Sequence, residues 1–310
     1  MPDPIRVVLA VPPRRGGPRP WAEALLAGLA PEADLALVHG IGQAGRLVLG
    51  RRDLVHTTVP FVRSRRPLVA TLHGNFRVEA RVYRRPYERL LACADAITTT
   101  SPYLRDALEL DERAHVIPAA MADPGPVWTA RRDGKPEDVR ALVAANFSFE
   151  QKTRGVTELL DAIGRLPAAS RPASVDVCGG GMYEDRVISA VERAGPGVRF
   201  LGWRADLRAR FADYDVLLYA SHLDNQPMLL LEAALAGLPI VSTPIGDVPQ
   251  MLDVRSMLHS WDELAPKLAA ARDPGWLEDL SRANRTKVLA RHGWPAVKPA
   301  WLSLYRSLVE

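Results

Sequence analysis

The sequence predicts an α/β protein made of two doubly wound parallel-sheet domains in tandem. Three observations carry this prediction. Short apolar, β-rich runs alternate with helical stretches along the chain, the order that a parallel sheet with crossover helices requires. The alternation stops once, in a stretch of clustered Pro, Gly and charge, and then restarts. The length, 310 residues with 47% hydrophobic and 25% charged, favours two cores over one.

The first set of strands is read as IRVVLAV (5–11), DLALVHG (34–40), DLVHTTVPF (53–61), PLVATLHG (67–74), DAITTTS (95–101) and AHVIPAA (114–120). A turn, PPRRGGPRP, and a helix, WAEALLAGLA, follow the first of them. A basic stretch, RVEARVYRRPYERLLACA, reads as a helix before the fifth. Residues 126–138 are the expected linker, so the first domain takes 1–125 and the second 139–293. In the second domain RALVAAN (140–146), SVDVCGG (174–180), VRFLG (198–202), DVLLYAS (215–221) and PIVST (239–243) are strands, and TELLDAIGRL (157–166) is a helix. The chain ends on helical segments. Two such sheets in tandem imply a cleft between the domains, with ligands at the carboxyl ends of the strands.

Composition narrows the partners. Residues 1–135 hold 20 Lys and Arg against 14 Asp and Glu, whereas the remainder holds 20 against 22. A basic first half suits a phosphorylated acceptor or an acidic membrane surface; an Arg-rich surface set by genome composition is the plain alternative. Nucleic acid is disfavoured, because the arginines are not interleaved with stacking aromatics. No apolar run reaches the roughly 18 residues of a membrane-spanning helix. The start, MPDPIRVVLAVPPRRGG, lacks the order of a signal peptide. Cys93 and Cys178 stand far apart without metal spacing, so the cytoplasm is the expected setting, with peripheral contact at the membrane's inner face as an option.

The chemistry concentrates in DNQPMLLLEAALAGLPIVSTPIGDVPQ, residues 224–250. From Pro227 to Leu238 it reads as a helix apolar enough for both faces to be buried, yet Glu232 sits in its middle. An unpaired charge there costs several kcal/mol. Pro227 near the first helical position loses nothing by lacking an N–H. The amides of Met228 and Leu229 then point out of a helix N-terminus, a ready anion site. A diphosphate fits there, with Glu232 one turn further in, within reach of a sugar's hydroxyl pair, and Asp224 on the other side. A phosphate bridge with a sugar at each end describes a nucleotide-sugar. The alternative is that Glu232 pairs with an arginine and Asp224 merely caps the helix.

An acidic residue, seven positions, a Glu and then AALAGLPIVSTPIG resemble the retaining glycosyltransferases of family 4, which have the GT-B fold: two Rossmann-like doubly wound domains facing each other across a cleft. The resemblance extends over nearly the whole chain. LVHTTVPF with LVATLHGNF resembles the family's strand pair ending in His-Gly. ADAITTTSPYLRDAL, HVIPAAMAD, NFSFEQKTRGVTELLDAI and VRFLGWRADLRARFADYDVLLYAS are similar to successive family segments. WLSLYRSLVE looks like the terminal helix, so residues 294–310 are expected to complete the first domain.

The resemblance implies roles. Glu232 binds the donor ribose. Asp224 takes the place of the residue that touches the transferred sugar, where Glu is usual; being one methylene shorter, it leaves Asn225 or Gln226 able to share the contact. Lys152 holds the diphosphate as charge builds on the leaving group. The Arg usual five positions before it is replaced by Phe147, leaving Arg154 or Asn146 as substitutes. His73 lies near the transferred sugar, Gly16 and Gly17 form the first glycine-rich turn, and Gly180 and Gly181 approach the nucleotide. Each has a plain structural alternative: a solvated lysine, a strand-end histidine, ordinary tight turns. Asp224, Lys152 and His73 are thus the expected catalytic residues.

The resemblance further implies a hydroxyl acceptor (a glycan, a lipid-linked sugar or a small molecule), no cofactor and no metal. Asp213-Tyr214-Asp215 has a metal-binding D-x-D form, but Asp215 opens a hydrophobic strand, and the GGG at 179–181 lacks dinucleotide spacing. Arg77, Arg81, Arg84, Arg85 and Arg89 recur at roughly helical spacing and either line an acceptor or membrane side or form a solvated face. Two other functions share the architecture: a sugar-nucleotide epimerase and a non-catalytic relative that binds a nucleotide-sugar or glycan.

Overall fold

The computed structural model describes residues 3–12, 18–39, 52–130 and 138–310. The chain divides into two compact units, 1–122 with 290–310, and 123–289. The first unit holds a six-stranded sheet of β1 (Ile5–Val11), β2 (Ala33–His39), β3 (Leu54–Thr57), β4 (Leu68–Leu72), β5 (Ala96–Thr99) and β6 (Ala114–Val116), in the order β2-β1-β3-β4-β5-β6. All its pairings are parallel. The second holds β7 (Arg140–Asn146), β8 (Ser174–Gly180), β9 (Val198–Gly202), β10 (Val216–Tyr219) and β11 (Ile240–Ser242), in the order β11-β10-β7-β8-β9, again parallel throughout.

The central strands are continuous apolar runs because helices cover both sheet faces. Val7 to Val11 of β1 and Val216 to Leu218 of β10 are essentially without solvent exposure. In the first unit one buried polar chain crosses this core. The Tyr305 hydroxyl lies 2.7 Å from His56 Nδ1, His56 Nε2 lies 2.6 Å from Thr71 Oγ1, and that oxygen lies 2.5 Å from Thr98 Oγ1. Tyr305 and the buried Trp301 come from the C-terminal helix Trp294–Val309, which thereby joins the first unit's core.

Two expectations need correction, for the basic stretch and for the apolar helix. The basic stretch is not one helix. It breaks into Phe76–Glu79, a 3-10 turn Arg81–Tyr83 and Arg84–Cys93, with Ala80 out of helical geometry (φ −137°, ψ 47°). The helical spacing of its arginines therefore does not make one stripe. The expected linker is anchored at one described residue, Trp128, while Pro126, Val127, Thr129 and Asp138 stay exposed. Trp128 is buried, its indole N–H donates to the Tyr214 carbonyl (2.8 Å), and the Val127 and Trp128 amides donate to the Ala236 carbonyl. The apolar helix, Met228–Ala236, buries Leu230, Leu231 and Ala233 to Ala236, but the stripe Met228, Leu229 and Glu232 stays partly open. Residues four apart share a helix face, so one open stripe follows from one uncovered side.

Candidate active site

In the second sheet β7 leads to β8 on one side while β10 lies on the other, so the strand order reverses between β7 and β10. A doubly wound sheet opens its ligand crevice at the carboxyl ends of such a strand pair. There the helix Glu150–Arg165 starts after β7, and Gly155 in its second turn meets the chain leaving β10. A Cβ at Gly155 would lie 2.6 Å from the Ser221 Cα and amide nitrogen. Only glycine allows that approach.

This contact sets Lys152 beside Asp224. The ammonium donates to Asp224 Oδ2 at 2.7 Å, and both side chains are largely buried, at 19% and 12% exposure. The Tyr219 hydroxyl, at the end of β10, donates to the same oxygen at 2.5 Å, while the Asn225 amide reaches Oδ1 at 3.2 Å. Burial and the neighbouring carboxylate push the Tyr219 phenol well above its ordinary pKa, so it remains a donor. The Phe149 ring lies 5.6 Å from the ammonium. Tyr219 and Phe149 were not singled out in the sequence; a strand's last residue and a helix N-cap were their only signals.

The turn after Asp224 is held from below. The Gln226 amide donates to the buried Asp247 (3.1 Å), and the Asp247 amide donates to the Asn225 carbonyl (2.8 Å). Gly246 adopts φ 58°, and a Cβ there would lie 2.4 Å from the Asp224 carbonyl oxygen. Asn225 and Gln226 are thus buried supports of the turn. Pro227 occupies the N-cap rather than the first helical position, with no side chain capping the helix. Among the described residues, the Met228 and Leu229 amides find no acceptor, so the helix presents free donors beside the Lys152–Asp224 pair's own turn.

Glu232 has the arginine partner that the sequence left open. Arg208 grips it bidentately, with Nε 2.7 Å from Oε2 and a second, shorter contact from Nη2 to Oε1. The carboxylate side is 11% exposed and the guanidinium side 60%. Burial raises the Glu232 pKa and Arg208 opposes that rise. A carboxylate has about four acceptor positions, so the pair leaves capacity for hydroxyl donors.

The remaining expected residues are dispersed or structural. Asn146 Oδ1 accepts from the Ser148 amide (2.9 Å), closing the turn after β7. Arg154 donates to Glu158 (2.8 Å), which also meets His222 (2.7 Å), so its charge is spent on an exposed helix face. Phe147 is fully buried and its amide donates to the Gly180 carbonyl (3.0 Å), so this position carries a packing side chain instead of a cation. Gly181, at φ 146°, lets the chain leaving β8 pass the Phe147 backbone; a Cβ would lie 2.4 Å from it. Gly180 is less confined, its hypothetical Cβ meeting Glu184 at 3.3 Å. Asp213 and Asp215 serve Arg210 and the Arg140 amide.

In the first unit, His73 follows β4 and packs edge-to-face on Trp21, ring centroids 4.4 Å apart. Burial lowers its pKa to about 3, so it is a neutral imidazole at physiological pH. Gly16 and Gly17 lie outside the described residues. Arg77 pairs with Glu109 (2.9 Å) and Arg84 with Glu88 (2.8 Å), while Arg81 and Arg85 are exposed.

The comparisons fit this geometry. A family model for "Glycosyltransferase Family 4" matches residues 2–121, and one for "Glycosyl transferases group 1" matches residues 139–271. No match is found among curated proteins. Among solved structures, the chain is similar to sucrose-phosphate synthase from Thermosynechococcus elongatus (17% identity, TM-score 0.77, 98% of this chain and 99% of that one). Anabaena HepE in complex with UDP and glucose is similar at 16% identity and TM-score 0.75, over 98% and 100%. A mutant of S. aureus TarM in complex with Fondaparinux, alpha-GlcNAc-glycerol and UDP gives 11% identity and TM-score 0.66, over 81% of this chain and 55% of that one. The chain therefore spans about half the length of TarM and nearly all of the other two. With both parallel-sheet units matched, the chain belongs to the GT-B glycosyltransferases of group 1 and family 4.

Proposed function

We propose that this protein transfers a sugar from a nucleotide-diphosphate donor to a hydroxyl acceptor with retention at the anomeric carbon. The observation that carries the reading is the Lys152 ammonium set at the β7–β10 reversal, beside the turn that leads to the free Met228 and Leu229 amides. These are donors of the kind that accept a diphosphate's charge as it leaves. Glu232 then takes the ribose hydroxyls, and Asp224 the transferred sugar. The departing diphosphate deprotonates the acceptor on the same face, so the protein supplies position and charge rather than a nucleophile. We propose no metal and no cofactor for this step, and glycan, glycolipid or envelope polysaccharide synthesis in the cytoplasm as its setting.

The experiment is a thermal-shift panel of UDP-, GDP-, ADP- and dTDP-sugars, followed by acceptor turnover with the product's anomeric configuration read by NMR. Binding stabilises with the logarithm of ligand concentration over Kd. An inverted product removes the retaining mechanism. One observation favours the non-catalytic alternative: Asp224 and Glu232 both already hold a cation, Lys152 and Arg208. Donor binding without turnover across a broad acceptor panel decides for it.

A further inference from the structure

Residues 61–66 and 81–89 of the first unit carry seven arginines against a single carboxylate, Glu88. Phe61 and Tyr83 bring the two stretches together, their rings meeting edge to face with centroids 5.7 Å apart. Neither ring is buried by the contact. Phe61 and Tyr83 remain 46% and 47% exposed, and Val82 beside them is 84% exposed. A single exposed apolar side chain is ordinary, but three together inside a field of one charge are not.

The backbone presents them on firm ground. Val82 and Tyr83 lie on the 3-10 turn Arg81–Tyr83, none of whose residues is buried. The helix that follows is anchored by Leu90 in the core and by Tyr87, which stacks on Phe76 (4.8 Å) and donates to the Thr58 carbonyl (3.2 Å). Arg84 is paired with Glu88. Among the described residues, no carboxylate lies within ion-pair distance of the other arginines of the two stretches.

We propose that this face docks on an anionic lipid surface. Phe61, Val82 and Tyr83 enter the boundary between headgroups and acyl chains, and the arginines around them meet lipid phosphates. Charge complementarity selects the occupant: uncompensated guanidinium groups repel one another until an anionic surface neutralises them. The most exposed apolar residue decides between polyanions. A valine gives nothing to a stacking base but gains from an apolar phase. The inference does not depend on the reaction proposed above.

The test is co-flotation of the whole protein with phosphatidylcholine vesicles, with and without phosphatidylglycerol. Flotation is expected only with phosphatidylglycerol, and high salt should abolish it. Phe61→Ser with Val82→Ser is expected to lower partitioning at least about ten-fold. Arg81→Gln with Arg85→Gln is expected to lower it about twenty-five-fold, near five-fold per charge. All four side chains are exposed, and a thermal melt verifies that each variant folds. Four results would each overturn the proposal: no flotation, equal flotation on neutral vesicles, serine variants that bind like the parent, or capture of an oligonucleotide in preference to vesicles.

Discussion

Gly155 and Ser221 are in backbone contact: a Cβ added to the glycine would lie 2.6 Å from the serine Cα. The helix that carries Lys152 therefore lies against the end of β10 at a distance no other residue permits. Gly155→Ala is expected to destabilise the protein by about 1–3 kcal/mol, although alanine is the better helix former. Urea denaturation measures the loss. A neutral or stabilising result means that the helix sits elsewhere.

Lys152→Met removes the ammonium while keeping the chain's volume. If charge on a leaving diphosphate is its task, kcat for sugar transfer should fall about 100- to 1000-fold. Steady-state kinetics on folded protein checks this. Asp224→Asn retains an acceptor for Lys152 and Tyr219 and should preserve the fold while reducing turnover. Unchanged turnover in both variants removes the pair from the reaction.

Glu232→Gln is expected to weaken donor binding about ten-fold or more, by loss of the charge-assisted hydroxyl bonds. Arg208→Ala acts differently. Burial already raises the Glu232 pKa and Arg208 holds it down, so removing the guanidinium lets it climb. The protonated carboxyl is a poorer acceptor, so donor affinity in Arg208→Ala should fall more steeply with acid than in the parent. Calorimetric titration of the donor at about pH 5, just above the ordinary glutamate range, and at about pH 7.5 measures the difference. Parallel pH profiles would dismiss the linkage.

Burial lowers the pKa of His56 and His73 to about 3, below the unfolded value of 6.5. Between those values the unfolded chain binds more protons, so stability is full above pH 6.5 and is lost as pH falls toward 3. Each histidine contributes a slope of about 1.4 kcal/mol per pH unit in that window. Denaturation midpoints at a series of pH values should show this, and His56→Gln should remove one share of it.

The two thiols should differ in reactivity. Cys93 is exposed, whereas burial lifts the Cys178 thiol to about 11 and holds it in the sheet. A thiol reagent should label Cys93 alone in the native protein and both after unfolding. Rapid native labelling of Cys178 would mean that β8 opens.

The sequence by itself determined the strands of both sheets and the helix that follows the turn at Asp224. Apolar runs such as RALVAAN and SVDVCGG match β7 and β8 to the residue, because a strand buried on both faces needs continuous hydrophobicity. The DNQP turn and its helix were legible through Pro227 and the unbroken apolar run that follows. Tertiary structure alone decided how the charges pair. Glu232 met Arg208, 24 positions away, and Lys152 met Asp224, 72 positions away. Tyr219 reached Asp224, and Trp128 anchored what reads as a linker. The physical reason is range. Periodicity and capping act over a few neighbouring residues, whereas a salt bridge depends on where two distant backbones place their side chains. The same limit hid the Phe61–Tyr83 contact, since an irregular turn rather than a continuous helix carries it.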